Sequence, residues 1–375
     1  MEGRVDRDML GRLEKEAVRE LLHYHEKSKK QQIKELIKKA AGRYVFPGDR
    51  IFWPVGLLAN VLAEHLGQWE EEETVLSSLR AVFDRWIRDG MPIYFMDDIL
   101  SGMALLTLFE RTGEGRYRKG ADRMAEYLLE LSKEAADEKG SIPYRPAQGN
   151  GHIYVDGIGM ICPFLARYGR LFGQKQAVEL AVCQIENMLD YGMDERTGLP
   201  YHGFRYEDGI KYGIIGWGRA VGWLLLGLSG TLRYLAQEAP SYVRLEEAFW
   251  RLVEAVLPWQ RENGSFSWQM EALEGPEDSS AAGMIAAAVG SFLKHKRPAV
   301  PEGDTGQVKK EERLQKGELL VMGAAAYIMA CEKDGRIRQA SGECEGFSQY
   351  PQVYGAYPWS LAPGLGVLAG LRGNR

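Results

Sequence analysis

Six turns of similar character recur along the chain, and this repetition limits the possible folds more than any other feature. Successive turn glycines are 48, 50, 58, 66 and 71 residues apart. Self-similarity at such a long period indicates that the chain repeats one supersecondary unit. The turns are AAGRYVF at Gly42, RDGMPIYF at Gly90, EKGSIPY at Gly140, RTGLPYHG at Gly198, ENGSFSW at Gly264 and KDGRIRQ at Gly335.

Each unit combines two kinds of helix. A charged amphipathic helix precedes the turn, as in residues 117–135, and a helix that is apolar nearly all round follows it, as in AVGWLLLGLSGTL. Because a helix that is apolar on every side must be buried, the pattern predicts an all-α protein with six inner helices inside six outer helices. We therefore expect residues 1–375 to form a single (α/α)6 barrel domain. An open superhelix would leave the inner helices exposed on one face.

The composition argues against several classes of protein. The net charge is −5, and no run approaches the roughly 20 apolar residues of a membrane helix, so we expect no nucleic-acid partner and no membrane partner. The sequence has no GxxxxGK[ST] or HExxH motif, and its four cysteines include no CxxC pair. We therefore expect no metal, no other cofactor and no disulfide framework. The charged N-terminus lacks an apolar leader, which predicts a cytoplasmic protein.

The connections that lead from the turn glycines to the inner helices should meet at one end of the barrel. Polar and aromatic residues concentrate in these connections, and we expect them to line one funnel-shaped pocket. Indole planes, carboxylates, an arginine and histidines around a cavity suit a carbohydrate, because sugar faces stack on indoles and hydroxyl groups need polar partners. These rim residues are Trp53, Asp97, Asp98, His152, Asp156, His202, Trp217, Arg219, Trp268, Asp278, Tyr357 and Trp359.

The same residues also have ordinary structural interpretations. Asp97, Asp98 and Asp156 each come just before an apolar helix, where a carboxylate can cap the free N–H groups. His202 can be a hydrogen-bonded loop histidine, and Trp217 and Trp223 can be core aromatic residues. Arg219 is harder to explain in this way, since an arginine that enters an apolar helix needs an anionic or carbonyl partner.

Four segments carry a resemblance to a known family: MDDILSGMALLTLFERTGEGRY, HIYVDGIGMICPFLARYG, TGLPYHGFRYEDG and GWGRAVGWLLLGL. They resemble the unsaturated rhamnogalacturonyl hydrolases, glycoside hydrolase family 105, which are related to the unsaturated glucuronyl hydrolases. The resemblance implies that Asp156 is the catalytic aspartate and Asp97 the second carboxylate, with Asp98 as its alternate. The substrate-binding residues would be Asp98, His202, Trp217, Arg219 and Trp223, together with His152 and Trp53 from the rim.

The resemblance also implies a substrate and a reaction. The substrate would be a small oligosaccharide, such as a disaccharide released by a lyase from pectin, that ends in a 4,5-unsaturated uronic acid. Asp156 would protonate C4 of the enol ether, water would add at C5, and the resulting hemiketal would open to release the sugar. Burial among aromatic side chains and a neighbouring carboxylate would keep Asp156 protonated.

Two alternatives remain open at this point. A sugar isomerase similar to the N-acylglucosamine 2-epimerases has the same barrel but would need paired rim histidines, for which only His152 and His202 qualify. A non-catalytic carbohydrate-binding protein on this barrel is the other alternative, because a fold does not determine a function.

Overall fold

A computed structural model describes residues 5–24, 26, 29–42, 49–295 and 305–372. Helices dominate it, and the strands are two to six residues long. The inner helices contact one another in sequence order, and the last of them contacts the first, so the ring is closed. The inner helices are α3 (Trp53–Glu64), α5 (Gly102–Thr112), α7 (Val155–Phe172), α9 (Gly218–Leu232), α11 (Ser279–His295) and α13 (Pro358–Arg372).

In the described residues, six outer helices alternate with the inner ones along the chain, which confirms the (α/α)6 barrel. The first outer helix contacts both α3 and α13, so it covers the point where the ring closes. An additional helix, α2 (Lys29–Ala40), lies between the first outer helix and α3 in the sequence. The outer helices are α1 (Arg7–His23), α4 (Glu72–Arg88), α6 (Gly115–Ala135), α8 (Lys175–Tyr191), α10 (Pro240–Val256) and α12 (Thr305–Cys331).

Glycines allow the inner helices to approach closely. A Cβ atom on Gly159 of α7 would lie 2.6 Å from the carbonyl oxygen of Trp223 on α9, and one on Gly227 would lie 2.9 Å from the carbonyl oxygen of Ile158. Such contacts leave no room for a side chain. The glycines in the inner helices therefore allow the close packing of the ring.

The six turn glycines predicted from the repeat all adopt a left-handed backbone, with φ between 66° and 90°. Other residues adopt this conformation only at an energetic cost. At Gly264 a Cβ atom would also lie 1.9 Å from the carbonyl oxygen of Gly323. These six turns therefore require glycine; Gly42 follows the additional helix α2, whereas the other five follow outer helices.

Short strands fill the connections at the end of the barrel where the inner helices begin. β1 (Ile153–Tyr154), β2 (Tyr201–Arg205) and β3 (Ile210–Ile215) form an antiparallel sheet in that order, with Tyr154 opposite Gly203 and Gly203 opposite Tyr212. Two antiparallel pairs follow α12, namely β4 (Glu332–Lys333) with β5 (Arg336–Ile337), and β6 (Ala340–Ser341) with β7 (Tyr354–Gly355).

Short 3₁₀ helices also lie in the connections, and the one over Met96–Ser101 directly precedes α5. All four cysteines are free, with Cys162 buried and the others half-buried. Within the described residues, none of the helices combines the length and the apolar character that crossing a bilayer requires.

Candidate active site

A buried hydrogen-bonded chain joins three connections at the end of the barrel where the inner helices begin. Asp156 lies in the first turn of α7, and its Oδ2 is 3.0 Å from Nε2 of His202 on β2. The other ring nitrogen of His202, Nδ1, is 2.8 Å from the hydroxyl of Tyr350. The ring of Trp217 packs on His202 with centroids 4.6 Å apart. Asp156 and Trp217 therefore lie at the same end of the barrel, and both contact His202.

Asp97 pairs with an arginine that lies outside the predicted rim residues. Both Nη atoms of Arg145 donate to the two carboxylate oxygens of Asp97, at 2.6 Å and 2.9 Å. The Asp97 side chain is 2% exposed, and the guanidinium stacks on the rings of Phe95 and Tyr144. A bidentate pair of this kind holds the carboxylate in one orientation.

Tyr144 connects the environments of the two aspartates. Burial raises the pKa of its hydroxyl well above the usual value, and the negative charges of Asp97 and Asp156 raise it further. Its ring stacks on Tyr154 with centroids 4.7 Å apart. The protonated Tyr144 hydroxyl, whose pKa both carboxylates raise, therefore lies between the environments of Asp97 and Asp156.

Asp98 has a different environment from Asp97. Its Oδ2 accepts hydrogen bonds from the backbone N–H groups of Tyr94 and Phe95 at 2.7 Å and 3.2 Å, so it stabilises the start of the 3₁₀ helix. Its other oxygen, Oδ1, and Oδ2 of the neighbouring Asp49 have no partner among the described residues. Burial and the Asp49 carboxyl raise the pKa of Asp98 to about 9. A proton held on Asp98 can satisfy both unpaired oxygens.

This environment predicts a pH-dependent stability. The pKa of Asp98 is higher in the folded chain than in the unfolded chain, so its contribution to the free energy of unfolding is complete below about pH 4 and is lost as the pH rises towards 9. The neutral side chain of Asp98→Asn removes this dependence. Between about pH 5 and pH 8 we expect the free energy of unfolding of the unaltered protein to fall more steeply than that of the variant, by on the order of 1–3 kcal/mol.

Urea unfolding at a series of pH values measures the difference, with Asp190→Asn on outer helix α8, where the side chain is half-exposed, as the matched control. Parallel pH curves for Asp98→Asn and the unaltered protein would contradict the buried proton.

The guanidinium of Arg219 forms hydrogen bonds with other residues of the protein. The side chain is 3% exposed, and Nη1 donates to the carbonyl oxygen and the hydroxyl of Ser341 at 2.9 Å and 2.6 Å, while Nη2 donates to the carbonyl oxygen of Gly342 at 2.7 Å. Asp278 lies 3.9 Å from the guanidinium and accepts hydrogen bonds from the hydroxyls of Ser280 and Ser341. The expected carbonyl and anionic partners are both present. Their effect is to anchor the chain at the start of the connection between β6 and β7.

The remaining rim aromatic residues form two groups. Trp53 packs on Trp223 and Trp359, with centroids 6.3 Å and 5.1 Å apart, and Trp359 stacks on Tyr357. Trp223 is 2% exposed and reaches into the barrel interior. In the second group, Trp268 packs on Tyr350, which also contacts Trp217 and His202.

His152 has different neighbours from His202. Its ring packs on Tyr212 and Phe347, and Phe347 also contacts His202. The two rim histidines therefore both contact Phe347, and His202 forms its hydrogen bonds with Asp156 and Tyr350. They do not form the pair of histidines that the isomerase alternative needs.

Residues 341–350, which we call the C-terminal rim segment, bring the largest unexpected contribution to the site. The Nε1 of Trp53 donates to Oε1 of Glu343 at 3.3 Å, and Tyr350 completes the chain to His202. Burial raises the pKa of Cys344 to about 12, and the nearby Asp156 contributes to this rise. Like Arg145, these residues follow a turn glycine and precede an inner helix. The expectation that polar and aromatic residues in such connections line the rim applies to them too, and it could have identified them. The resemblance to the family motifs could not, because it ends before residue 341.

The rim is more closed than the expected funnel. The side chains of Asp97 and Asp156 are only 2% and 11% exposed, and the C-terminal rim segment lies against Trp217, Trp268 and His202. A cavity of about 570 Å³ occurs instead in the barrel interior towards the C-terminal ends of the inner helices, where Pro163, Leu226 and Val367 line it. In the described part of the chain, no group of three or more His, Cys, Asp or Glu residues is placed to hold a metal ion.

Comparisons with known proteins agree with this architecture. A family model described as Glycosyl Hydrolase Family 88 matches residues 20–350. The chain is 25% identical over 310 residues to an unsaturated rhamnogalacturonyl hydrolase of Bacillus subtilis, in an alignment that covers 80% of this chain and 83% of the relative.

Solved structures show the same fold at low sequence identity. A possible member of the GH105 family from Salmonella enterica superposes with a TM-score of 0.78 at 17% identity, covering 100% of this chain and 96% of that chain. The unsaturated glucuronyl hydrolase of Bacillus sp. GL1 superposes with a TM-score of 0.70 at 19% identity, covering 100% and 97%.

Proposed function

Because this chain belongs to Glycosyl Hydrolase Family 88, we propose that residues 1–375 act as one catalytic domain that removes a 4,5-unsaturated uronic acid from the non-reducing end of a lyase-generated disaccharide. The chain is a glycoside hydrolase. The similarity to an unsaturated rhamnogalacturonyl hydrolase supports a pectin-derived disaccharide as the substrate. A cytoplasmic site of action, after the polymer has been cut, is part of the same proposal.

The observation that carries the proposal is the buried Asp156 carboxyl with a histidine on one side and a neutral phenol near it. Oδ2 of Asp156 is held by His202, and Tyr144 lies within the influence of both Asp156 and Asp97. A general acid must hold its proton in a fixed direction until the substrate accepts it. This arrangement suits proton transfer to a carbon atom.

The proposed reaction has two proton transfers through one carboxyl group. Asp156 donates its proton to C4 of the enol ether, and the C4=C5 electron pair forms the new C–H bond, which leaves an oxocarbenium-like cation at C5. Water adds to C5 and gives its proton to the Asp156 carboxylate, so the acid is regenerated. The hemiketal then opens to a ketone at C5, and the freed ring oxygen makes C1 a hemiacetal. Breakdown of this hemiacetal to an aldehyde breaks the glycosidic C1–O bond and returns a proton to the leaving oxygen, which releases the keto acid and the second sugar. Two carboxylates placed across the glycosidic bond, as in most glycosidases, are not needed for this route.

Other rim residues would orient the substrate. Asp97 is proposed as the second carboxylate, and Arg145 supports this role because its bidentate contact fixes the orientation of Asp97. Asp98 would support the 3₁₀ helix that carries Asp97. His202 would orient Asp156, Trp53, Trp217 and Trp223 would form apolar walls, His152 would lie at the outer edge, and Arg219 would act by anchoring the C-terminal rim segment.

The direct test is incubation with unsaturated disaccharides made by polysaccharide lyases. We expect the near-ultraviolet absorbance of the conjugated alkene to disappear and one equivalent of free sugar to form. An unsaturated galacturonyl-rhamnose disaccharide is the first substrate to test, with its saturated analogue as the control. Binding of the disaccharide without loss of absorbance would favour a non-catalytic carbohydrate-binding protein.

We further expect the reaction to be independent of divalent metals. Proton transfer and addition of water require only side chains in the proposed mechanism. Dialysis against EDTA should leave the rate of alkene loss unchanged. A loss of activity that returns when a divalent ion is added would contradict this expectation.

A further inference from the structure

Tyr350 lies at the end of the hydrogen-bonded chain that begins at Asp156. Its hydroxyl oxygen is 2.8 Å from Nδ1 of His202, and Nε2 of the same ring is 3.0 Å from Oδ2 of Asp156. His202 is 1% exposed. Water therefore has little access to either ring nitrogen, and the two protein partners decide which nitrogen carries the proton.

The backbone indicates how the Tyr350 hydroxyl is oriented. The N–H of Ile214 on β3 donates to the Tyr350 oxygen at 3.4 Å, so this oxygen already accepts one hydrogen bond. Burial raises the pKa of the Tyr350 hydroxyl, which keeps its proton in place. The hydroxyl can then donate to Nδ1 of His202, which leaves the ring proton on Nε2, directed at Asp156.

The groups that face this chain are mostly neutral. Tyr144, Tyr154 and Cys344 lie near Asp156, and burial is the main cause of the raised pKa of each. The rings of Tyr154, Trp217 and Phe347 pack around His202. The nearby charged groups have their own partners, since Asp97 is bound by Arg145 and Arg219 is bound to the backbone of the C-terminal rim segment.

We propose that Tyr350 is a positioning residue for the hydrolysis: its hydroxyl donates to Nδ1 of His202, holds the ring proton on Nε2, and so directs that proton to the carboxylate of Asp156. The inference rests on the proposed function of Asp156. Once Asp156 has given its proton to C4, the Nε2–H bond stabilises the resulting carboxylate. This is the form that accepts a proton from water in the second step.

Tyr350→Phe tests this role, because it removes the hydroxyl and retains the ring that packs on Trp217 and Trp268. Without the donor to Nδ1, the ring proton is no longer held on Nε2, and the carboxylate form of Asp156 loses part of its support. Proton transfer to C4 then leaves a less stabilised carboxylate, so the transfer is slower. We expect kcat to fall by about 3- to 10-fold while KM stays nearly unchanged, because the substrate contacts are retained.

Nitrogen-15 NMR of histidine-labelled protein gives a readout that does not depend on activity. The His202 signals, assigned by their absence in His202→Asn, should show a proton on Nε2 in the unaltered protein and a mixture of both tautomers in Tyr350→Phe. Tyr354→Phe is the matched control, because it removes a hydroxyl that donates to Gln352 on the neighbouring part of the same connection.

The outcomes separate this inference from the proposed function. A lower kcat at nearly unchanged KM together with a mixed tautomer supports the role of Tyr350, whereas an unchanged tautomer in Tyr350→Phe overturns it. If the unaltered protein hydrolyses no unsaturated disaccharide, the proposed hydrolysis fails, and the tautomer still decides whether Tyr350 positions the His202 proton.

Discussion

Asp156→Asn is expected to remove turnover while leaving the fold intact. Asparagine retains the size of the side chain and an oxygen that accepts a hydrogen bond from Nε2 of His202, but it has no transferable proton. If Asp156 is the general acid and base, the rate of alkene loss should fall by about 10²- to 10⁴-fold. If it only supports the start of α7, the change should cost at most about 1 kcal/mol of stability and leave turnover largely intact.

Melting temperature and alkene loss measured on one sample separate these outcomes. Asp190→Asn makes the same chemical change on outer helix α8, where the side chain is half-exposed and bonded to Arg244. It should leave both quantities unchanged. A stable Asp156→Asn variant with near-normal turnover would remove Asp156 from the mechanism.

Arg219→Leu is expected to cause the largest loss of stability. The substitution removes the donors to the Ser341 and Gly342 oxygens and leaves Asp278, which is fully buried, without its cation. Breaking one side of a buried ion pair costs about 3–5 kcal/mol because the other charge remains uncompensated. Urea unfolding should therefore show a decrease of this size in the free energy of unfolding. Turnover should fall as well, because the C-terminal rim segment that carries Tyr350 loses its anchor.

Arg251→Leu provides the control for this prediction. Arg251 lies on outer helix α10 with a side chain that is 76% exposed and pairs with Glu247, so its loss should cost less than about 1 kcal/mol. Adding Asp278→Asn to Arg219→Leu should recover part of the lost stability, since it removes the uncompensated charge. If Arg219→Leu and Arg251→Leu lowered the free energy of unfolding equally, the buried contacts of Arg219 would contribute no more to stability than an exposed ion pair.

The barrel could be predicted from the sequence because its signal is distributed over many residues. The apolar faces of the helices and the six turn glycines repeat along the chain, and each repetition favours the same arrangement. The single-residue argument for Arg219 also succeeded, because burying a guanidinium without a partner is too costly for a stable fold. Its partners turned out to be Ser341, Gly342 and Asp278.

The pairing of individual side chains could not be predicted in this way. Asp97 and Asp98 are neighbours in sequence, yet one binds Arg145 and the other lies beside Asp49 and the backbone of Tyr94. Whether a carboxylate meets a guanidinium or a second carboxyl depends on the direction of one side chain within a single 3₁₀ turn. No periodic pattern carries that information.

By itself, the sequence determined that six repeated units must enclose their apolar helices, and that the polar and aromatic residues of the connections lie at one end of the ring. The tertiary structure alone decided that Tyr350 meets His202, that Glu343 meets Trp53, and that the C-terminal rim segment closes the site. The physical reason is the range of the interactions involved. Burial of a helix face averages over many contacts, whereas a hydrogen bond between residues of different units requires two separate connections to be placed within a fraction of an ångström.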